Sequence, residues 1–132
     1  MTRVLILATV GTMALTACAP VRDPNLGYDA DGIRVCDLTV SFGSYAMGVD
    51  QELKSRILTL VAQEPGLDNT EERPWGREGE SNLCIHAPRP GQADRLYDQI
   101  AEMIPTYSER APTTVTHRDG RSEASVMPPW RN

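Results

Sequence analysis

Residues 33–43 read IRVCDLTVSFG, and the alternation inside them decides the fold. Cys36, Leu38, Val40 and Phe42 alternate with Asp37, Thr39 and Ser41. Successive side chains leave a strand on opposite sides, so this period of two predicts a strand with one buried face. Gly43, Ser44 and Gly48 end it in a loop. Asp50 then stands as a helix N-cap, with Glu52 in the first turn, where the helix dipole favours an acid. Leu53, Ile57, Leu60 and Val61 share one helical face. Glu64-Pro65-Gly66 stops that helix.

The same reading extends outward. Leu67 to Arg73 and Asn82 to Ala87 are predicted strands, joined by a polar hairpin loop that holds Gly76 and Gly79. Pro74 has no N–H to give a ladder, so it ends the first of these strands or confines it to a sheet edge. A second helix follows Pro90. Ala93, Leu96, Tyr97, Ile100 and Ile104 share its inner face, and Pro105 closes it. Thr113 to His117 is the next β-rich stretch. Asp119-Gly120 suits a two-residue type I′ turn, which would fold Arg121 to Val126 back as a short extra strand. The order β-α-β-β-α-β predicts an α+β fold of the ferredoxin-like type, with two helices on one face of an antiparallel sheet. Residues 33–127 form this single domain, and 128–132 an irregular tail.

Upstream, Met1-Thr2-Arg3 places one basic side chain beside the amino terminus. Val4 to Leu15, VLILATVGTMAL, is then uncharged and mainly apolar. It is shorter than the roughly 20 residues of a membrane-spanning helix. It has the length of a signal-peptide core. Leu15-Thr16-Ala17-Cys18 resembles the lipobox of bacterial lipoproteins; the rival readings are an ordinary secretory signal and a buried strand. The resemblance covers the first eighteen residues only. It implies that residues 1–17 are a signal peptide, that Cys18 becomes the acylated first residue, and that the protein sits in a bacterial envelope. Ala19, which is not Asp, implies the periplasmic face of the outer membrane in a Gram-negative cell. Residues 18–32 are then the lipidated terminus and a tether. Its fourteen residues after the cysteine reach at most about 46 Å.

An oxidising envelope implies that the two remaining cysteines, Cys36 and Cys84, pair. The closed loop of about 49 residues makes such a bond worth roughly 4 kcal/mol on chain entropy. Free thiols or a redox pair are the alternatives, although no C-x-x-C is present. The predicted first and third strands, which carry these cysteines, are central neighbours in the expected topology. One detail resists. Cys36 shares its face with Leu38, whereas Cys84 alternates with Leu83 and Ile85. Either a bulge intervenes, or the far face of the sheet is also covered.

Composition narrows the function classes. The chain has 132 residues and a formal charge of −5. Loss of residues 1–17, which hold Arg3 and no acid, would make that −6. A mildly acidic domain offers no electrostatic footprint for nucleic acid. One Phe, two Trp and four Tyr are few for base-stacking platforms. No phosphate-binding loop, dinucleotide fingerprint, nucleophile elbow or zinc-protease motif occurs. The expectation is therefore a non-catalytic envelope lipoprotein with no cofactor and no metal, held to the membrane by lipid and bound to another envelope protein or structural in role. The alternative is a small-ligand or metal binder, or an unrecognised periplasmic enzyme, built on His86, His117 and Asp37. Arg73, Trp75 and Arg77 mark the candidate interface, since Trp and Arg anchor protein contacts. The competing reading of Trp75 is a cap over the small core. Tyr45 and Met47, in the loop after the first strand, admit the same two readings.

Overall fold

A computed structural model of the chain describes residues 35–67 and 69–131. The signal segment, Cys18 and the tether lie outside the described residues, and no helix within them is long and apolar enough to cross a membrane. The elements are β1 (Leu38–Phe42), α1 (Gln51–Gln63), β2 (Asn69–Pro74), β3 (Ser81–His86), α2 (Gln92–Met103), β4 (Thr113–His117) and β5 (Ser122–Ala124), with a closing 3₁₀ turn over Pro129–Arg131. The sheet runs in the order β2-β3-β1-β4-β5, and every neighbouring pair is antiparallel. This is the α+β, ferredoxin-like arrangement with an extra edge strand.

One face of the sheet carries both helices. Leu38, Val40 and Phe42 point into it and pair across the ladder with Ile85, Leu83 and Ser81 on one side. On the other side they pair with His117, Val115 and Thr113. Leu53, Ile57 and Val61 of α1 and Leu96, Tyr97 and Ile100 of α2 close over them. Asp50 caps α1 as expected, its Oδ1 accepting the Leu53 N–H at 3.1 Å. Gln92, fully buried, links the two helices: its Nε2 donates to Glu64 Oε1 at 2.9 Å and to the Pro65 carbonyl at 3.0 Å. Lys54 joins α1 to the edge strand through Glu72, at 2.6 Å. Its ammonium, and then the Ser81 hydroxyl, hold the Glu72 carboxyl below the usual range.

Two expectations are corrected. Cys36 does not extend the alternation of β1. The ladder begins at Leu38, opposite Ile85, and Cys84 faces Thr39 on the helix-free side. Yet the Cα atoms of Cys36 and Cys84 lie 5.3 Å apart, joined by the disulfide. In an extended chain Cys36 would stand about 10 Å from Thr39. The backbone therefore bends at Asp37 and lays Cys36 over the helix-free face. This is a bulge: the Asp37 N–H donates to the Ile85 carbonyl at 2.9 Å although Leu38 already stands opposite Ile85, so two residues of one strand oppose one of the other and the alternation shifts by one. Cys84 and His86 are also buried on that second face. The predicted type I′ turn is also different. Only Gly120 of the turn has positive φ, at 97°, and a type I′ turn needs two such residues. The Gly120 N–H bonds the His117 carbonyl at 2.9 Å and the His117 N–H bonds that of Arg121 at 2.8 Å. The loop is thus Arg118-Asp119-Gly120, a type I turn closed by a left-handed glycine. β5 is correspondingly short, and at Ser125 the chain leaves the ladder, its hydroxyl accepting the Thr113 N–H at 2.9 Å.

The bend at Asp37 is held by its own side chain. Oδ2 accepts the Ala87 N–H at 2.9 Å and Oδ1 accepts Arg118 Nη1 at 2.8 Å. Asp37→Ala leaves the buried Ala87 N–H unpaired, at a cost of about 2 kcal/mol. Chemical denaturation of the variant should show that loss with an unchanged denaturant slope.

Candidate functional site

The helix-free face separates the residues expected to act together. His117 pairs with Leu38 and so faces the helices, with its ring edge-on to Tyr97 at 5.9 Å between centroids. His86 lies two residues after Cys84 and shares its face, Nε2 lying 3.5 Å from the Cys84 sulfur. The two imidazoles are therefore on opposite sides of the sheet. Asp37 is committed to Ala87 and Arg118. The structure brings none of these three together as an acid–base or metal pair. A shallow groove of about 320 Å³ along α1, lined by Gln51, Lys54, Ser55, Leu58, Thr59 and Ala62, holds none of them either.

Exposed apolar side chains gather elsewhere. The antiparallel order sends β1, β3, α2 and β4 alternately up and down the sheet. Four connections meet at the end where β1 finishes: residues 43–50, 75–80, 104–112 and 125–131. Met47, Trp75, Tyr107, Val126, Met127 and Trp130 all stand there in solvent. Trp130 is 69% exposed, Met47 68% and Trp75 58%, whereas large aromatic and thioether groups normally find cover.

The rim is ordered rather than loose. Ser44 Oγ and the Gly48 N–H both reach Glu78 Oε2, which clasps the first loop to the β2–β3 hairpin. Ala46 takes left-handed backbone, at φ 69°, a conformation L side chains rarely adopt; the next residue is the exposed Met47. Gly43 lets β1 run against Pro112, since a Cβ there would lie 2.7 Å from the proline ring. Trp75 does not cap the core. Its indole N–H donates to Asn82 Oδ1 at 3.1 Å, which fixes the ring against the outer side of the hairpin. The rings of Tyr107 and Trp130 pack at 5.5 Å. Val126 is stitched beneath them by hydrogen bonds to Thr106 and Ser108, at 3.0 and 2.9 Å.

Of the residues singled out in the sequence, Trp75 and Met47 belong to this rim. Tyr45 is half-buried in the same loop as Met47. Arg73 instead pairs with Glu71 at 2.8 Å, and that contact, first of all, draws the Glu71 carboxyl below its ordinary value. Arg77 is exposed in the hairpin. Tyr107 and Trp130 were not anticipated. Residues 128–132 read as an irregular tail, and no local pattern signals that a 3₁₀ turn returns Trp130 to the end of α2. Comparison with protein-family models, with curated proteins and with solved structures finds no match to the chain.

Proposed function

We propose that this chain is a lipid-anchored protein of the bacterial envelope whose small disulfide-stapled domain binds another envelope protein through the rim of Met47, Trp75, Tyr107, Val126 and Trp130. The observation that carries the reading is the ordered exposure of these side chains at one end of the sheet. Clustered aromatics and methionine are the residue types that dominate interface cores. The charges around them, Arg77, Glu78, Glu109, Arg110 and Arg131, are of both signs. Mixed charge suits a protein partner better than an anionic bilayer, which recruits clusters of Lys and Arg. The Cys36–Cys84 bond supports an oxidising compartment. The Leu15-Thr16-Ala17-Cys18 tetrad supports the anchor. In this reading the function needs no catalytic group: lipid fixes the location, the tether gives reach, and the rim supplies the contact.

Mass spectrometry of the amino-terminal peptide, taken from the protein in its own membrane, tests the anchor. The expected peptide starts at Cys18 and carries acyl chains. A free thiol at Cys18, or a start at any other residue, contradicts it.

A further inference from the structure

His117 sits in a second cluster, at the other end of the sheet from the rim and independent of it. The residue is 7% exposed. Its Nε2 is buried without a hydrogen-bond partner and lies 3.8 Å from Asp94 Oδ1, on the first turn of α2. On the other side of the ring, Nδ1 lies 2.9 Å from Asp119 Oδ1 and 3.2 Å from the Asp119 N–H. Asp94, His117 and Asp119 each offer a ligand atom, all within 4.8 Å of one another. Arg121 closes the group, its guanidinium reaching both carboxylates and lying 4.9 Å over the Tyr97 ring. An unpaired ring nitrogen in a buried position costs free energy, so this atom calls for a partner.

We infer that His117 Nε2 and Asp94 form a binding site for a zinc-like divalent metal ion, with Asp119 as the carboxylate that orients the imidazole. Two ligands about 2.1 Å from a tetrahedral ion stand about 3.4 Å apart. The 3.8 Å between Nε2 and Asp94 Oδ1 needs little change, and Asp94 is exposed enough to make it. Nδ1 can accept the Asp119 N–H at 3.2 Å; in the tautomer where Nδ1–H instead donates to Asp119 Oδ1, at 2.9 Å, the Nε2 lone pair is left facing Asp94. This is the carboxylate–histidine–metal relay that commonly fixes a ligand's tautomer. Asp119 is held in place for that role: its Oδ1 accepts the Arg121 N–H at 2.9 Å and its Oδ2 accepts Arg121 Nε at 2.8 Å. Imidazole with carboxylate favours zinc, copper or nickel over calcium or magnesium. Solvent fills the remaining positions, as in an open site. Arg121 is the competitor, since its guanidinium binds the same Asp94 oxygen, so an arriving ion must displace it.

The chain has two histidines, so ring-nitrogen NMR during a zinc titration of the full chain in detergent resolves both. Zinc should shift the His117 ring saturably and leave the His86 ring unchanged. Asp94→Asn should weaken binding at least tenfold, Asp119→Asn by about 10- to 100-fold, and Arg121→Gln should tighten it. The Tyr97 ring signals of each variant report whether the fold is kept. A His117 ring unmoved by millimolar zinc in both the wild type and the Arg121→Gln variant overturns the site. So does equal movement of both histidines, or folded Asp94→Asn protein that binds zinc as tightly as the wild type.

Discussion

Breaking the Cys36–Cys84 bond is expected to remove about 4 kcal/mol of stability, because it releases a loop of about 49 residues in the unfolded chain. A domain of this size has roughly 5–15 kcal/mol in all. The corresponding fall in melting temperature is about 15–25 °C. The bond also pins the bend at Asp37 over the face of the sheet that no helix of the described residues covers. Circular dichroism melting of the oxidised protein, the reduced protein and the Cys36→Ala/Cys84→Ala variant measures the effect. The reduced protein and the double variant should melt together, well below the oxidised form. A shift of only a few degrees would show that the second face is held by other contacts. Reduction should loosen Val35 and Cys36 first, since hydrogen bonds from Asp37 still hold the start of β1.

Tyr107→Ala/Trp130→Ala is expected to weaken partner binding by 2–4 kcal/mol, about 30- to 1,000-fold, as loss of paired aromatic anchors does. Trp130 is 69% exposed and Tyr107 47%, so stability should change by only about 0.5–1 kcal/mol. That contrast separates a binding surface from a structural one. If instead the double variant unfolds at much lower temperature, the two rings serve to close the end of α2 over Ala111 and Ile104. Competition for partner binding between the wild-type domain and the variant, alongside melting curves for both, reads the two effects separately.

The helices were legible because Leu53, Ile57 and Val61, and Leu96, Tyr97 and Ile100, each repeat at the helical period. β2 was legible as an edge because Pro74 cannot donate, and it is indeed the last residue of the outermost strand. The path of Cys36 was not legible. Alternation continues through it in the sequence, but Asp37 and Leu38 both stand opposite Ile85, a bulge that shifts the alternation by one and that the Asp37 carboxylate braces against Ala87, fifty residues away. The same holds for the turn after β4. Asp-Gly permits both a type I′ turn and a type I turn with a left-handed glycine, and the pairing of Thr116 with Ser122 selects the latter. For the candidate sites, single residues were legible and their grouping was not. Trp75 is conspicuous by type, but that it stands at the same end of the sheet as Tyr107 and Trp130 depends on the directions in which the strands and α2 run. Asp94 and His117 lie 23 positions apart and meet only because α2 starts where β4 finishes.

In the proposed reading the rim is a protein-binding surface. Site-specific photocrosslinking in intact cells tests it most directly, with the reactive residue placed at Met47, Trp75 or Trp130, and at Gln99 on the outer face of α2 as the control. One protein adduct should be common to the three rim positions and absent from Gln99. Adducts to lipid alone, no adduct at any rim position, or the same adduct at Gln99 would contradict it.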